Sequence, residues 1–197
     1  MNLAATLGAS LIFIFANFPS GKIQTDNPTV VIKTDFGNIK VEIYEKAAPI
    51  TAANFLRYID AGLFKGGSFY RVVRPDNQPA SPVKIEVIQG GLRFTDDERP
   101  YPPIEHETTD KTGILHKDGV ISMARTTPGS ATSEFFICIG DQPELDSGGK
   151  RNPDGQGFAA FGRVIEGMDV VRQIQQQPDE NQMLIKPVVI HDIERTR

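Results

Sequence analysis

Two residues stand where their side chains could do chemistry. Arg71 interrupts the apolar run Phe69-Tyr70-Arg71-Val72-Val73, and Gln89 interrupts Val87-Ile88-Gln89-Gly90-Gly91. Side chains alternate faces along a strand. Phe69, Arg71 and Val73 are therefore expected on one face, and Val87 and Gln89 together on a face of the second strand. A polar group among apolar neighbours must be hydrogen-bonded or costs about 1–3 kcal/mol. The chemistry on offer is that of one permanent cation above an apolar floor, with an amide beside it. The plainer reading is an Arg and a Gln that satisfy each other on a sheet surface.

Other chemistries are poorly served. His106 and His116 are ten positions apart, His191 is remote, and Cys138 is the single cysteine, so zinc-ligand spacing is missing. Asp141, Asp146 and Asp154 share one loop without the spacing of a calcium loop. No G-x-S-x-G elbow occurs, and Cys138 lies within an apolar strand, where a packed thiol is the expected state. Gly155 and Gly157 do not follow a strand and open a helix, so a nucleotide loop is unsupported. No cofactor and no metal are expected. A reaction needing only shape, one cation and hydrogen bonds stays open.

These residues need a scaffold. With 197 residues the chain is expected to form one domain, alone or with an appendage, and it can bury a substantial core. Net charge is −4 with no basic run, which argues against a nucleic-acid partner. The 18 glycines and 14 prolines imply frequent turns, as expected for many short strands. Thr29–Thr34 and Ile39–Tyr44 flank a Gly-Asn turn and predict a hairpin. Pro49 opens an amphipathic helix carrying Ala52, Phe55, Leu56 and Ile59, which Gly62 ends. Further strands are expected over Val120–Ala124, Glu134–Ile139, Phe158–Val164 and Pro187–Glu194, with a second helix from about Met168 to Gln176. Strands adjacent in sequence with few crossover helices point to a mainly β fold: a closed antiparallel barrel of about eight strands capped by two α-helices.

The amino terminus is different. Leu3 to Phe18 carries no charge. It is short for a membrane span of about 20 residues but suits the apolar core of a signal peptide. Residues 1–21 are expected to be a signal peptide or an uncleaved amino-terminal anchor, 22–28 a polar linker, and 29–197 the folded body. A periplasmic or secreted location follows from the first case, with no stable span after processing. Membrane anchoring follows from the second.

Several motifs occur in register along that body. Besides the two runs around Arg71 and Gln89, they are Gly119–Arg125 (GVISMAR), Ser130–Ile137 (SATSEFFI), Leu145-Asp146, Phe161–Val164 (FGRV) and Gly167–Val171 (GMDVV). From about Thr29 to Ile193 the chain resembles a cyclophilin-type peptidyl-prolyl cis–trans isomerase, and Met123–Thr126 resembles its bacterial members. The resemblance implies the same barrel with two capping helices, and proline-containing peptides and unfolded proteins as substrates. It also implies an unassisted reaction by a monomer during protein folding. It assigns Arg71 and Gln89 to catalysis. It places Phe136, Val87 and Leu145 around the proline ring, Ala124 and Arg125 along the substrate groove, and Phe158 near the rotating carbonyl.

Some positions depart from the family. Glu86 stands where a pocket Phe is usual, Val87 replaces a Met, and the insert Arg74–Lys84 is expected to supply a substitute wall. Glu134 replaces a Gln and is expected to pair with Arg71 or Arg125. Glu144 occupies the position of a Trp in cyclosporin-sensitive members, which implies weak cyclosporin binding. The alternative to an active isomerase is a proline-peptide-binding module or chaperone with little turnover.

Overall fold

Alternation of β-branched residues sets the frame. In β1 (Thr29–Thr34) and β2 (Gly37–Ile43), the side chains of Val30, Ile32, Ile39, Val41 and Ile43 are fully buried while their neighbours face out. The two strands pair antiparallel from Thr29 opposite Glu42 to Thr34 opposite Gly37. The computed structural model describes residues 27–95 and 98–196. The expectations for residues 1–21 lie outside the described residues.

The remaining strands are β3 (Ser68–Val73), β4 (Val87–Gly91), β5 (Val120–Met123), β6 (Phe135–Cys138), β7 (Ala159–Glu166), β8 (Asp179–Glu180) and β9 (Met183–Arg195). Their order is β1-β2-β7-β5-β6-β4-β3-β9-β8, and β1 also pairs with β9. Eight strands thus close on themselves, which removes exposed edges. The two-residue β8 hangs outside the ring on β9. Every pairing is antiparallel, as expected.

Helix α1 (Pro49–Asp60) starts on its proline, and α3 (Met168–Gln175) follows Gly167. A single helical turn, α2 (Thr109–Thr112), adds to the two expected helices. On α1, Phe55 meets Phe64, Phe135 and Phe161 with ring centroids 5.0–5.4 Å apart. This aromatic group joins the helix to the barrel interior. Burying such rings contributes about 1.5–3 kcal/mol each.

A second apolar cluster forms on the other side of the sheet from Val73, Ile85, Val87, Phe136, Cys138 and Leu145. Its strand members alternate with interior residues: Val72 against Val73, Ile88 against Val87, and Phe135 and Ile137 against Phe136 and Cys138. Strand β3 breaks the simple alternation. Phe69 opposes Gly90 and Arg71 opposes Gln89, so Tyr70 is an extra residue at a β-bulge. The bulge shifts the phase by one. Phe69 points into the core with Val72, while Arg71 and Val73 share the outer face, so the expected grouping of Phe69 with Arg71 is corrected.

Candidate active site

The bulge delivers Arg71 to the outer face directly opposite Gln89. Arg71 Nη1 donates to Gln89 Oε1 at 2.8 Å. Its Nε and Nη2 both donate to Gln182 Oε1, at 3.1 and 2.6 Å. A guanidinium has five N–H groups. These contacts use three and leave one on each terminal nitrogen. Both partners are neutral amides, so the charge is held in place without being cancelled. Burial lowers the Arg71 pKa, and the positive charge of Arg151 lowers it further.

The partners are themselves anchored. Gln89 Nε2 donates to the Tyr70 hydroxyl at 2.8 Å, and that hydroxyl donates to Glu134 Oε2 at 2.5 Å. Burial and the Glu134 charge raise the Tyr70 pKa. Gln182 sits in the turn between β8 and β9 with φ 71°, donates from Nε2 to the Asn77 carbonyl and hands its own carbonyl to Val72 N–H.

Beside Arg71 lies a cleft of about 250 Å³. Phe136 forms its floor and is only 4% exposed. One ring contact is an edge-to-face meeting with Phe158 at 5.2 Å, and another is His116 stacked at 5.9 Å. His116 is pinned between Asp146 at 2.7 Å and Ser122 at 2.9 Å, so it supports Phe136 from behind. Val87, Ile85 and Leu145 complete the apolar lining. An aliphatic and aromatic floor next to an uncancelled, oriented cation suits a compact apolar ring joined to a polar amide.

A family model of cyclophilin type peptidyl-prolyl cis-trans isomerase/CLD matches residues 29–195. The chain belongs to this family. It is 37% identical over 155 residues to a peptidyl-prolyl cis-trans isomerase of Acinetobacter baylyi, covering 77% of this chain and 74% of the relative. It is 34% identical to peptidyl-prolyl cis-trans isomerase A of Dickeya dadantii, covering 84% and 83%. Its fold matches a crystal structure of a Cryptosporidium parvum cyclophilin type isomerase with a TM-score of 0.68 at 22% identity, covering 87% of this chain and 98% of that one. The chain is a peptidyl-prolyl cis–trans isomerase.

Eight of the residues expected at a cyclophilin site line this one cleft: Arg71, Gln89, Val87, Ala124, Arg125, Phe136, Leu145 and Phe158. Glu134 does not line it. It lines the adjoining groove with Gln89, Ala124 and Arg125. Its expected pairing with Arg71 or Arg125 is corrected: it accepts hydrogen bonds from Tyr70 Oη and from the backbone N–H groups of Leu92 and Arg93. Glu86 is also outside the cleft and accepts a bond from Gln175 at 3.4 Å. The wall comes instead from Ile85, one residue earlier. The insert contributes indirectly, since Gln78 bonds the backbone of Ile85 at both ends of its amide.

Arg125 enters with its side chain as well as its backbone. Its guanidinium grips Asp154 through two bonds of 2.8 Å and packs 5.2 Å above the Phe158 ring. Ile85, Arg151, Asn152 and Gln182 were not foreseen. Their only signal is the length and polarity of the two loops and the turn that carry them.

Proposed function

We propose that Arg71 is the catalytic donor, and that the Phe136 cleft holds the proline ring while the preceding amide rotates above it. The barrier to rotation is about 18–20 kcal/mol because twisting breaks amide resonance. Uncatalysed, an X–Pro bond takes tens to hundreds of seconds. A catalyst must bind the twisted state better than either planar state. On twisting, the prolyl nitrogen becomes pyramidal and regains its lone pair. An N–H of Arg71 aimed at that lone pair stabilises only the twisted state. Gln89 and Gln182 keep the guanidinium aimed, so little reorganisation is needed at the moment of rotation. Phe136, Val87, Ile85 and Leu145 hold the ring fixed, and the substrate chain runs along Ala124 and Arg125.

The observation that carries this reading is the guanidinium with three N–H groups spent on neutral amides and two left beside the apolar floor. The experiment is NMR exchange on a short X–Pro peptide with wild type and Arg71→Ala. Loss of one oriented charged donor should lower kcat/KM by about 10²–10³. The peptide should still shift resonances of Phe136. Equal rates for the two proteins would overturn the assignment. Peptide binding without acceleration by wild type would favour a binding module.

We also infer that the isomerase acts as a monomer on unfolded proteins outside the cytoplasm, in the periplasm or secreted. The support for the location is the uncharged run Leu3–Phe18. Amino-terminal sequencing of the mature protein tests this, and Met1 retained in the soluble cytoplasmic fraction would refute it.

A further inference from the structure

Arg151 has no part in the mechanism above, yet it lines the same cleft. Among the described residues, three arginines line it, Arg71, Arg125 and Arg151, and no Asp or Glu does. The charge of Arg125 is met by Asp154. That of Arg151 meets only neutral groups among the described contacts. Its Nη1 donates to Ser81 Oγ at 2.7 Å, to the Val83 carbonyl at 2.7 Å and to Gln78 Oε1 at 3.2 Å. Glu144, on the same loop, is turned to the Lys150 N–H at 2.8 Å.

The three acceptors belong to the insert between β3 and β4, so Arg151 is fastened across the cleft wall by one nitrogen. Its Nε and Nη2 take part in none of these bonds. The positive charge of Arg151 reaches Arg71, whose pKa it lowers after burial has done so. Arg71 and Arg151 thus line one hollow, and among the described residues both are bonded only to neutral side-chain and carbonyl acceptors. An anion in the substrate would offset the repulsion between them. The planar fork of an arginine matches a carboxylate with two parallel bonds. Arg71 is poorly suited to that task, since three of its donors are occupied.

We propose that Arg151 is a specificity-determining residue that recognises an acidic side chain, Asp or Glu, flanking the proline of the substrate. The proposal rests on the cleft being the X–Pro site and names the substrate class that the site prefers. Gln89 and Gln182 hold Arg71 back from the same carboxylate, so the acidic residue is bound by one arginine and the rotating bond is served by the other.

The test uses NMR exchange and titration with peptides bearing Glu, Gln or Lys at either position beside the proline. Wild type should favour Glu over Gln by about tenfold in kcat/KM at low salt, as a charge-assisted pair would give. The preference should shrink as salt rises. In Arg151→Gln the Glu-to-Gln ratio should fall to about one, and in Arg151→Glu the order should reverse in favour of Lys. Arg151→Lys, which keeps the charge but loses the fork, should retain part of the ratio. No preference in wild type, or a ratio unchanged in Arg151→Gln, would overturn the proposal. So would an equal collapse of the ratio in the Lys and Gln variants, which would assign Arg151 to holding the insert alone. If wild type turns over no peptide, the isomerase reading of the cleft fails. The Glu-to-Gln affinity ratio from the same titration then still decides the role of Arg151.

Discussion

A carboxylate beside Arg71 would hold it as firmly as Gln89 and Gln182 do, but it would also cancel the charge that the twisted amide needs. Amide carbonyls fix the fork and leave the charge available. Gln182 alone accepts two of the three bonds. Gln182→Ala should therefore lower kcat about tenfold, since bonds to charged groups contribute about 1.5–3 kcal/mol. KM should change little, because the apolar floor is untouched. Gln182→Glu should restore the bonds and still lose activity, which separates aim from charge in the same NMR exchange assay. Phe136 has a double duty. It is 4% exposed, packs on Phe158 and is backed by His116. Phe136→Ala should cost about 3 kcal/mol in urea unfolding through the cavity it leaves, and it should raise KM more than it lowers kcat.

At the scale of elements, two junctions shape the cleft. The first is the bulge at Tyr70, which turns Arg71 outward. On the paired strand Gly91, opposite Ser68, adopts φ 150°, and a Cβ there would stand 2.6 Å from Glu134 Oε1. Only glycine lets that carboxylate reach Tyr70 Oη and the Leu92 and Arg93 N–H groups. Gly91→Ala should push Glu134 away and loosen Gln89 through Tyr70. Removal of the charge in Glu134→Gln should lower the Tyr70 pKa, which ultraviolet titration of the phenol would report. The second junction is the Arg125–Asp154 clamp, which ties β5 to the loop before β7. The Arg125 hydrogen bonds hold the Asp154 carboxyl at about 2, below its ordinary 3.8. A depressed carboxyl pKa favours the folded state above the ordinary value, and the benefit fades as pH falls through the folded one. The clamp should thus be intact at pH 5 and lost on approaching pH 2. Urea midpoints of wild type and Asp154→Asn should differ by a constant amount from pH 7 to pH 5 and converge near pH 2.

The whole molecule is a ring closed by β1 against β9, strands from the two ends of the described chain. Ring closure couples the site to global stability, because β3, β4 and β6 carry interior residues on one side and cleft residues on the other. Cys138 lies in that shared wall, fully buried, and burial pushes its thiol pKa well up. A buried neutral thiol does not react. Labelling by a thiol reagent should wait for global unfolding. Phe136→Ala should speed it in mild denaturant and Arg71→Ala should not, which would distinguish loss of packing from loss of chemistry.

Local pattern was enough for much of this protein. Period-two alternation predicted the strands, Pro49 and Gly62 marked the first helix, and a set of motifs in register brought Arg71, Gln89, Phe136, Val87 and Leu145 to one site. Those features depend on neighbours in sequence or on motifs that belong together. The phase of β3 was not legible, because a bulge is a property of two strands in register and not of either one. The wall beside Val87 fell to Ile85 and not to Glu86 once the insert had tied the backbone at Gln78. Glu134 lost its expected arginine partner to Tyr70 and two backbone N–H groups, which become available only where Gly91 makes room. Gln182 lies 111 positions from Arg71, and Arg151 reaches Ser81 across 70. Such partners are chosen by which loops the closed barrel sets side by side, and a side chain's chemistry at a distance carries no mark of that choice in the chain itself.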